Sequence, residues 1–274
     1  VSRRPEGDRA ALLGTVAALA VALGVSLEVA VGGRLSSLDL RVYSWVMSSG
    51  LPSTGWRDPL HGLGRALHAA TYLGTREVVP VLGLVVAVVC RHRRTLRPLA
   101  RFAVLTVLVV LTVQALKVGF GRPPPLAAVT GEDGRAYPSG HTVTAVAYWG
   151  LLASVVIELR YPPAVRRLAV YMAVVAPLLT MAGMALLAYH WLSDVLGGAA
   201  IGLVLLGVLR VVDAVALTHW RDAGDRVPAA PPGSLSVGTA AGARPAGPSA
   251  DGGGPAGAGP RDGSVARGRV RRDR

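Results

Sequence analysis

Six long apolar stretches set the limits on what this chain can fold into. They run from Ala10 to Leu27, Val78 to Cys90, Phe102 to Leu116, Thr142 to Ile157, Leu168 to Tyr189 and Val195 to Leu209. A helix needs about 20 residues to cross a bilayer, so the shorter runs must borrow flanking residues such as Thr75 to Glu77. Val78 to Cys90 is the shortest of the six. A buried helix of a soluble protein would show a polar face every 3.6 residues, and segments such as AVLTVLVVLTVQAL show none. The expectation is therefore an all-α, six-helix transmembrane bundle. Composition agrees, with 51% of residues apolar and only 16% charged. The single cysteine, Cys90, rules out a disulfide scaffold within the chain.

A net charge of +13 would usually point to nucleic acid, but the basic residues form no stripe interleaved with aromatics. They fall between the apolar blocks and in the C-terminal tail, so no nucleic-acid partner is expected. Their distribution orients the bundle, because cytoplasmic loops are enriched in Lys and Arg. With the N-terminus inside, the inner segments carry twenty arginines and the outer ones eight basic residues. Both termini are expected in the cytoplasm of a multi-pass cell-membrane protein. The first block follows Arg3, Arg4 and Arg9 but is longer than the apolar run of about 7 to 15 residues in a signal peptide. It reads as an uncleaved first crossing.

The domain organisation expected is a short cytoplasmic N-terminus at 1–9, a membrane domain at 10–217 and a disordered cytoplasmic tail at 218–274. Beyond Trp220 the composition turns to Pro, Gly, Ala and Arg, which cannot bury enough surface to order itself. Between the first two crossings, Arg34 to Thr75 mixes Leu38, Leu40, Val42, Trp45 and Val46 with Asp39, Arg41 and serines. That pattern reads as an amphipathic interfacial segment, with Trp45, Trp56 and Tyr72 suited to the membrane boundary.

Three short polar segments interrupt the apolar blocks, and the charge rule puts all three on the outer face. Lys117 opens KVGFGRPPP, Pro138 to His141 read PSGH, and His190 stands in YHWLSD with Asp194 four residues on. Ionisable residues at membrane depth are costly and mark function. Two histidines, a lysine and a carboxylate at one end of three helices suit phosphate chemistry. A histidine attacks phosphorus when a carboxylate holds its other ring nitrogen, and Asp194 shares a helix face with His190. A second histidine, His141, can protonate the departing alkoxide. Ser139 and Gly140, just before a helix, offer backbone N–H groups to an anion, and Lys117 adds a full charge. This chemistry calls for no metal and no cofactor. Singly, each feature has a plainer reading: an interfacial histidine, an N-cap at Asp194, a turn at PSGH.

Together these residues resemble the type 2 phosphatidic acid phosphatase and vanadium haloperoxidase superfamily, over about Leu38 to Leu209. That family carries Lys, six residues, Arg-Pro; then Pro-Ser-Gly-His; then Ser-Arg, five residues, His, three residues, Asp. The second motif is complete as Pro138, Ser139, Gly140 and His141, and the third keeps His190 and Asp194. The resemblance implies a six-helix lipid phosphate phosphatase. By it, His190 forms a phosphohistidine, Asp194 orients it, His141 is the general acid, and Lys117, Ser139 and Gly140 bind phosphate.

Two of the three motifs depart from the family pattern. Pro124 stands where the first motif has arginine, and Gly183 and Met184 replace Ser-Arg in the third. Neither proline nor a thioether replaces a bidentate guanidinium. Arg122 and Arg135 lie nearest in sequence and are the expected substitutes. The expected substrate is a membrane lipid carrying a phosphomonoester or diphosphate. The competing expectation is a catalytically weak or inactive family member that binds a lipid phosphate or a protein partner. A haloperoxidase fits poorly, since those relatives are soluble, and a transporter lacks paired interrupted helices in matching halves.

Overall fold

The computed structural model describes residues 5–51, 61–130 and 134–225. Trp56 and residues 226–274 of the expected tail lie outside them. The described residues form helices α1 (Pro5–Val31), α2 (Arg34–Ser48), α3 (His61–Thr71), α4 (Val78–Arg93), α5 (Arg97–Phe120), α6 (Pro125–Thr130), α7 (Gly140–Glu158), α8 (Pro163–Leu186) and α9 (Leu192–Asp225), with a 3₁₀ turn at Tyr72–Gly74. Every strongly apolar block became a helix, as backbone groups in lipid must be satisfied within their own segment.

Among the described residues five helices are long and apolar enough to cross a membrane: Ala11–Val31, Arg97–Ala127, Gly140–Glu158, Pro163–Leu186 and Leu192–Asp213. A bent helix pair is the candidate for a sixth span. The α4 helix has only 16 residues, and it gains length from Gly62–Gly74 across a 52° bend. Helix ends follow local chemistry. Pro98 stands in the first turn of α5, where its missing N–H costs nothing. The left-handed Gly121 (φ 57°) stops α5 by returning its N–H to Lys117 O. The last helix continues past residue 217 to Asp225, so its N-terminal apolar run carries helix into the segment whose composition alone reads as tail.

The α7 and α9 helices form the interior. In their most apolar windows 56% and 50% of residues are buried, against 11% for α1, which is therefore the lipid-facing extreme. The core is a continuous cluster through Val109, Val113, Val143, Leu151, Val155, Ile201 and Leu205. Small residues let these helices approach closely: a Cβ at Gly202 would lie 2.8 Å from the Val146 Cβ. Large apolar side chains such as Leu13 and Leu27 of α1 and Leu168 and Leu178 of α8 are exposed, as a lipid-bathed surface requires.

One end of the bundle holds a charge cluster. Arg97 and Arg101 of α5 pair with Asp213 of α9 and Glu158 of α7. The other end of α5 carries Lys117, so the polar segments singled out in the sequence gather at the far end from this cluster.

The first part of the segment expected at the interface, α2, is an amphipathic helix with one inversion. Leu38, Leu40, Trp45 and Met47 of α2 are exposed, whereas Asp39 is only 3% exposed beside the fully buried Val46. A carboxylate thus faces the protein and the apolar side chains face outward.

Candidate active site

The α8–α9 turn builds the first half of the site. Met184 O accepts the backbone N–H of both Tyr189 and His190, each at 3.1 Å, and Ala188 takes a left-handed φ of 56° to let the chain reverse. This swings His190 inward, with its side chain 11% exposed. His190 Nδ1 lies 3.5 Å from Asp194 Oδ2 and makes no hydrogen bond. Asp194, with no exposed surface, also accepts the Trp191 N–H on Oδ2 at 3.1 Å. Asp194, third residue of α9, thus caps the N–H of Trp191 just before the helix while the same oxygen faces His190.

The α5–α7 connection builds the second half. Tyr137–Pro138 is a cis peptide bond leading into α7, whose N-cap is Ser139. Ser139 N–H donates to Asp194 O at 3.0 Å, and Thr142 Oγ1 donates to Ser139 Oγ at 3.2 Å. The first bond ties the start of α7 to the start of α9, and the second closes the first turn of α7. The close fit continues at Gly198, where a Cβ would lie 2.8 Å from Ser139 O. Tyr137 shares a hydrogen bond with Ser26 at 2.7 Å, and burial raises its phenol above the usual range, so it stays neutral.

His141, Met184 and His190 line one cavity of about 250 Å³, together with His68, Thr71, Tyr72, Thr75 and Tyr189. The backbone approach here is tight: a Cβ at Gly74 would lie 2.3 Å from His141 O. His68 Nδ1 and Tyr189 Oη are 3.1 Å apart. The structure thus brings the two expected histidines together, with Asp194 behind one of them. Met184 occupies the cavity where the motif pattern expects arginine.

The remaining expected residues stand back from the cavity. Lys117 Nζ donates to Arg135 O at 2.8 Å. Arg135 is exposed. Arg122 turns to buried acids: Nη1 reaches Asp194 Oδ1 at 2.8 Å and Ser193 Oγ at 2.6 Å, while Nη2 reaches Asp39 Oδ2 at 2.6 Å. Its guanidinium lies 5.3 Å from the Trp191 ring centroid, and Trp191 Nε1 donates to Pro123 O at 2.8 Å. Ser139 and Gly140 mark the α7 N-terminus beside His141. Among the described residues no group of three or more His, Cys, Asp or Glu side chains is spaced to hold a metal.

Asp39, His68, Thr71 and Tyr189 were not singled out as site residues by sequence reasoning. Asp39 carried one signal, a carboxylate flanked by leucines in the amphipathic run LDLRVYSWV. His68 carried none, because its role depends on α3 folding back over the end of α8.

Residues 98–215 match the family model of the PAP2 superfamily. The fold is similar to the crystal structure of the first transmembrane PAP2-type phosphatidylglycerolphosphate phosphatase from Bacillus subtilis. The TM-score is 0.59 at 21% identity, covering 73% of this chain and 96% of that one. No curated protein matches the sequence. The PAP2 match contains Lys117, the PSGH segment, His190 and Asp194. Asp39 and the α3 residues of the cavity lie before it.

Proposed function

We propose that the protein is a membrane phosphatase that hydrolyses a lipid phosphomonoester or diphosphate through a phosphohistidine on His190. The observation that carries this reading is the pairing of His141 and His190 in one cavity, with Asp194 buried 3.5 Å from His190 Nδ1. The match of residues 98–215 to the PAP2 family model and the likeness in fold to a PAP2-type phosphatase support a phosphatase-type activity.

In this mechanism Asp194 holds Nδ1–H, leaving Nε2 to attack phosphorus. The P–O bond to the lipid breaks as His141 gives its proton to the departing oxygen. Water then attacks the phosphohistidine, His141 takes a proton from it, and inorganic phosphate leaves. Lys117 has one N–H bond to Arg135 O out of three donors and contributes charge from the end of α5. Ser139 spends its N–H on Asp194 O, so the amides of Gly140 and His141 at the α7 N-terminus are the phosphate donors. The site opens outward with both termini in the cytoplasm. The arginine-rich α4–α5 link, at the opposite end from the cavity, supports this orientation.

A second reading is favoured by Met184. Its thioether lines a cavity that contains no arginine among the described residues, which suits a protein that binds a lipid phosphate with little turnover. One assay separates the two. Purified protein in detergent is tested on phosphatidate, phosphatidylglycerophosphate and polyprenyl diphosphate, with His190→Ala alongside. Phosphate release that survives chelation and is lost in His190→Ala supports the phosphatase; saturable binding without release supports the second reading.

A further inference from the structure

We propose that Asp39 on α2 is a positioning residue for His190, acting through Arg122 and Asp194. The proposal rests on reading His190 as the nucleophile, and it goes beyond that reading by giving a role to a helix outside the matched family region.

The geometry is a buried relay. Asp39 Oδ1 accepts the Ser193 N–H at 2.8 Å, and Oδ2 accepts Ser193 Oγ–H at 2.5 Å and Arg122 Nη2 at 2.6 Å. Arg122 Nη1 continues to Asp194 Oδ1 at 2.8 Å, and Asp194 Oδ2 faces His190. The three charged side chains are 2%, 17% and 0% exposed for Asp39, Arg122 and Asp194, so water screens them little.

Charge gives the relay its purpose. When imidazole attacks phosphorus the ring becomes positive, and a carboxylate on Nδ1 stabilises that charge. An Asp194 paired with Arg122 alone would be one half of a neutral pair and a poor partner for the ring. Asp39 draws the same guanidinium to itself, so one cation bridges two anions and the set keeps one negative charge for His190. The fork geometry of arginine allows this bridging, since each Nη serves a different carboxylate. Asp39 also holds the first turn of α9, from which Asp194 projects, so it fixes orientation as well as charge.

A simpler role, docking α2 onto α9, makes different predictions. Asp39→Asn keeps the side-chain shape and removes the charge. The relay predicts that kcat falls roughly tenfold to a hundredfold, the usual cost of losing an outer partner that orients a reactive imidazole, while KM changes little because Asp39 does not line the cavity. In an Asp194→Asn background the same change costs less than about twofold, because the coupled partner is already gone. Ser193→Ala, which removes one docking bond but no charge, costs less than Asp39→Asn. Where Asp39→Asn is too unstable to purify, Asp39→Ser, which also removes the charge, takes its place, with the same loss in kcat and the same coupling expected. Equal losses in both backgrounds, a loss confined to KM, or Ser193→Ala matching Asp39→Asn overturns the relay while leaving the phosphatase intact. Turnover that survives His190→Ala overturns the phosphatase reading, and the relay with it.

Discussion

Met184 O accepts the His190 N–H at 3.1 Å, so the residue that stands in an arginine position of the motif is tied directly to the proposed nucleophile. Its side chain is 2% exposed and lines the cavity. Phosphoryl transfer depends on positive charge around the transferring group, and one arginine there is worth orders of magnitude. Met184→Arg is expected to raise kcat/KM for a lipid phosphate by about tenfold or more. Unchanged or lower kcat/KM in a folded Met184→Arg protein would show that this position does not meet the phosphate.

Gly74 lies against the backbone of the proposed general acid. A methyl group there would come within 2.3 Å of His141 O and 2.7 Å of Thr180 Cγ2, neither of which can swing away freely. Gly74→Ala is expected to lose about 1–3 kcal/mol of stability through overpacking, seen as a lower melting temperature in detergent, and to lose activity as His141 is displaced. Wild-type melting and turnover would mean that the 3₁₀ turn is not fixed against α7.

Orientation can be read by thiol labelling, though not through the natural cysteine, since Cys90 is only 4% exposed. In a Cys90→Ala background, Arg135→Cys should react with a membrane-impermeant maleimide in intact cells. Arg94→Cys, on the exposed link between α4 and α5, should react only after permeabilisation. The reverse pattern would place the cavity on the cytoplasmic side.

The sequence carried the fold because its signals are local. Long apolar runs, Pro98 in the first turn of α5 and the glycine after Phe120 each act within a few residues. Convergence of His141, His190 and Asp194 was legible for a related reason, since each sits at a helix end that topology sends to the same side. Two features were not legible. The 52° bend that joins Gly62–Gly74 to α4 depends on how those pieces pack against α7 and α8. The partners of Arg122 were hidden too. Its nearness to Lys117 in sequence marks it as a phosphate cation, but a buried guanidinium goes to whatever carboxylates surround it. Asp39 reaches it from 83 residues away, and no spacing rule connects the two.

The most direct test of the phosphatase account is to look for phosphate on His190. Radiolabelled lipid phosphate is mixed with purified protein, quenched in alkali on the millisecond scale, and the labelled peptide mapped. The account predicts alkali-stable, acid-labile label on His190 that forms and decays with turnover and is absent from His190→Ala. Turnover with no label on His190, and undiminished in His190→Ala, would contradict it.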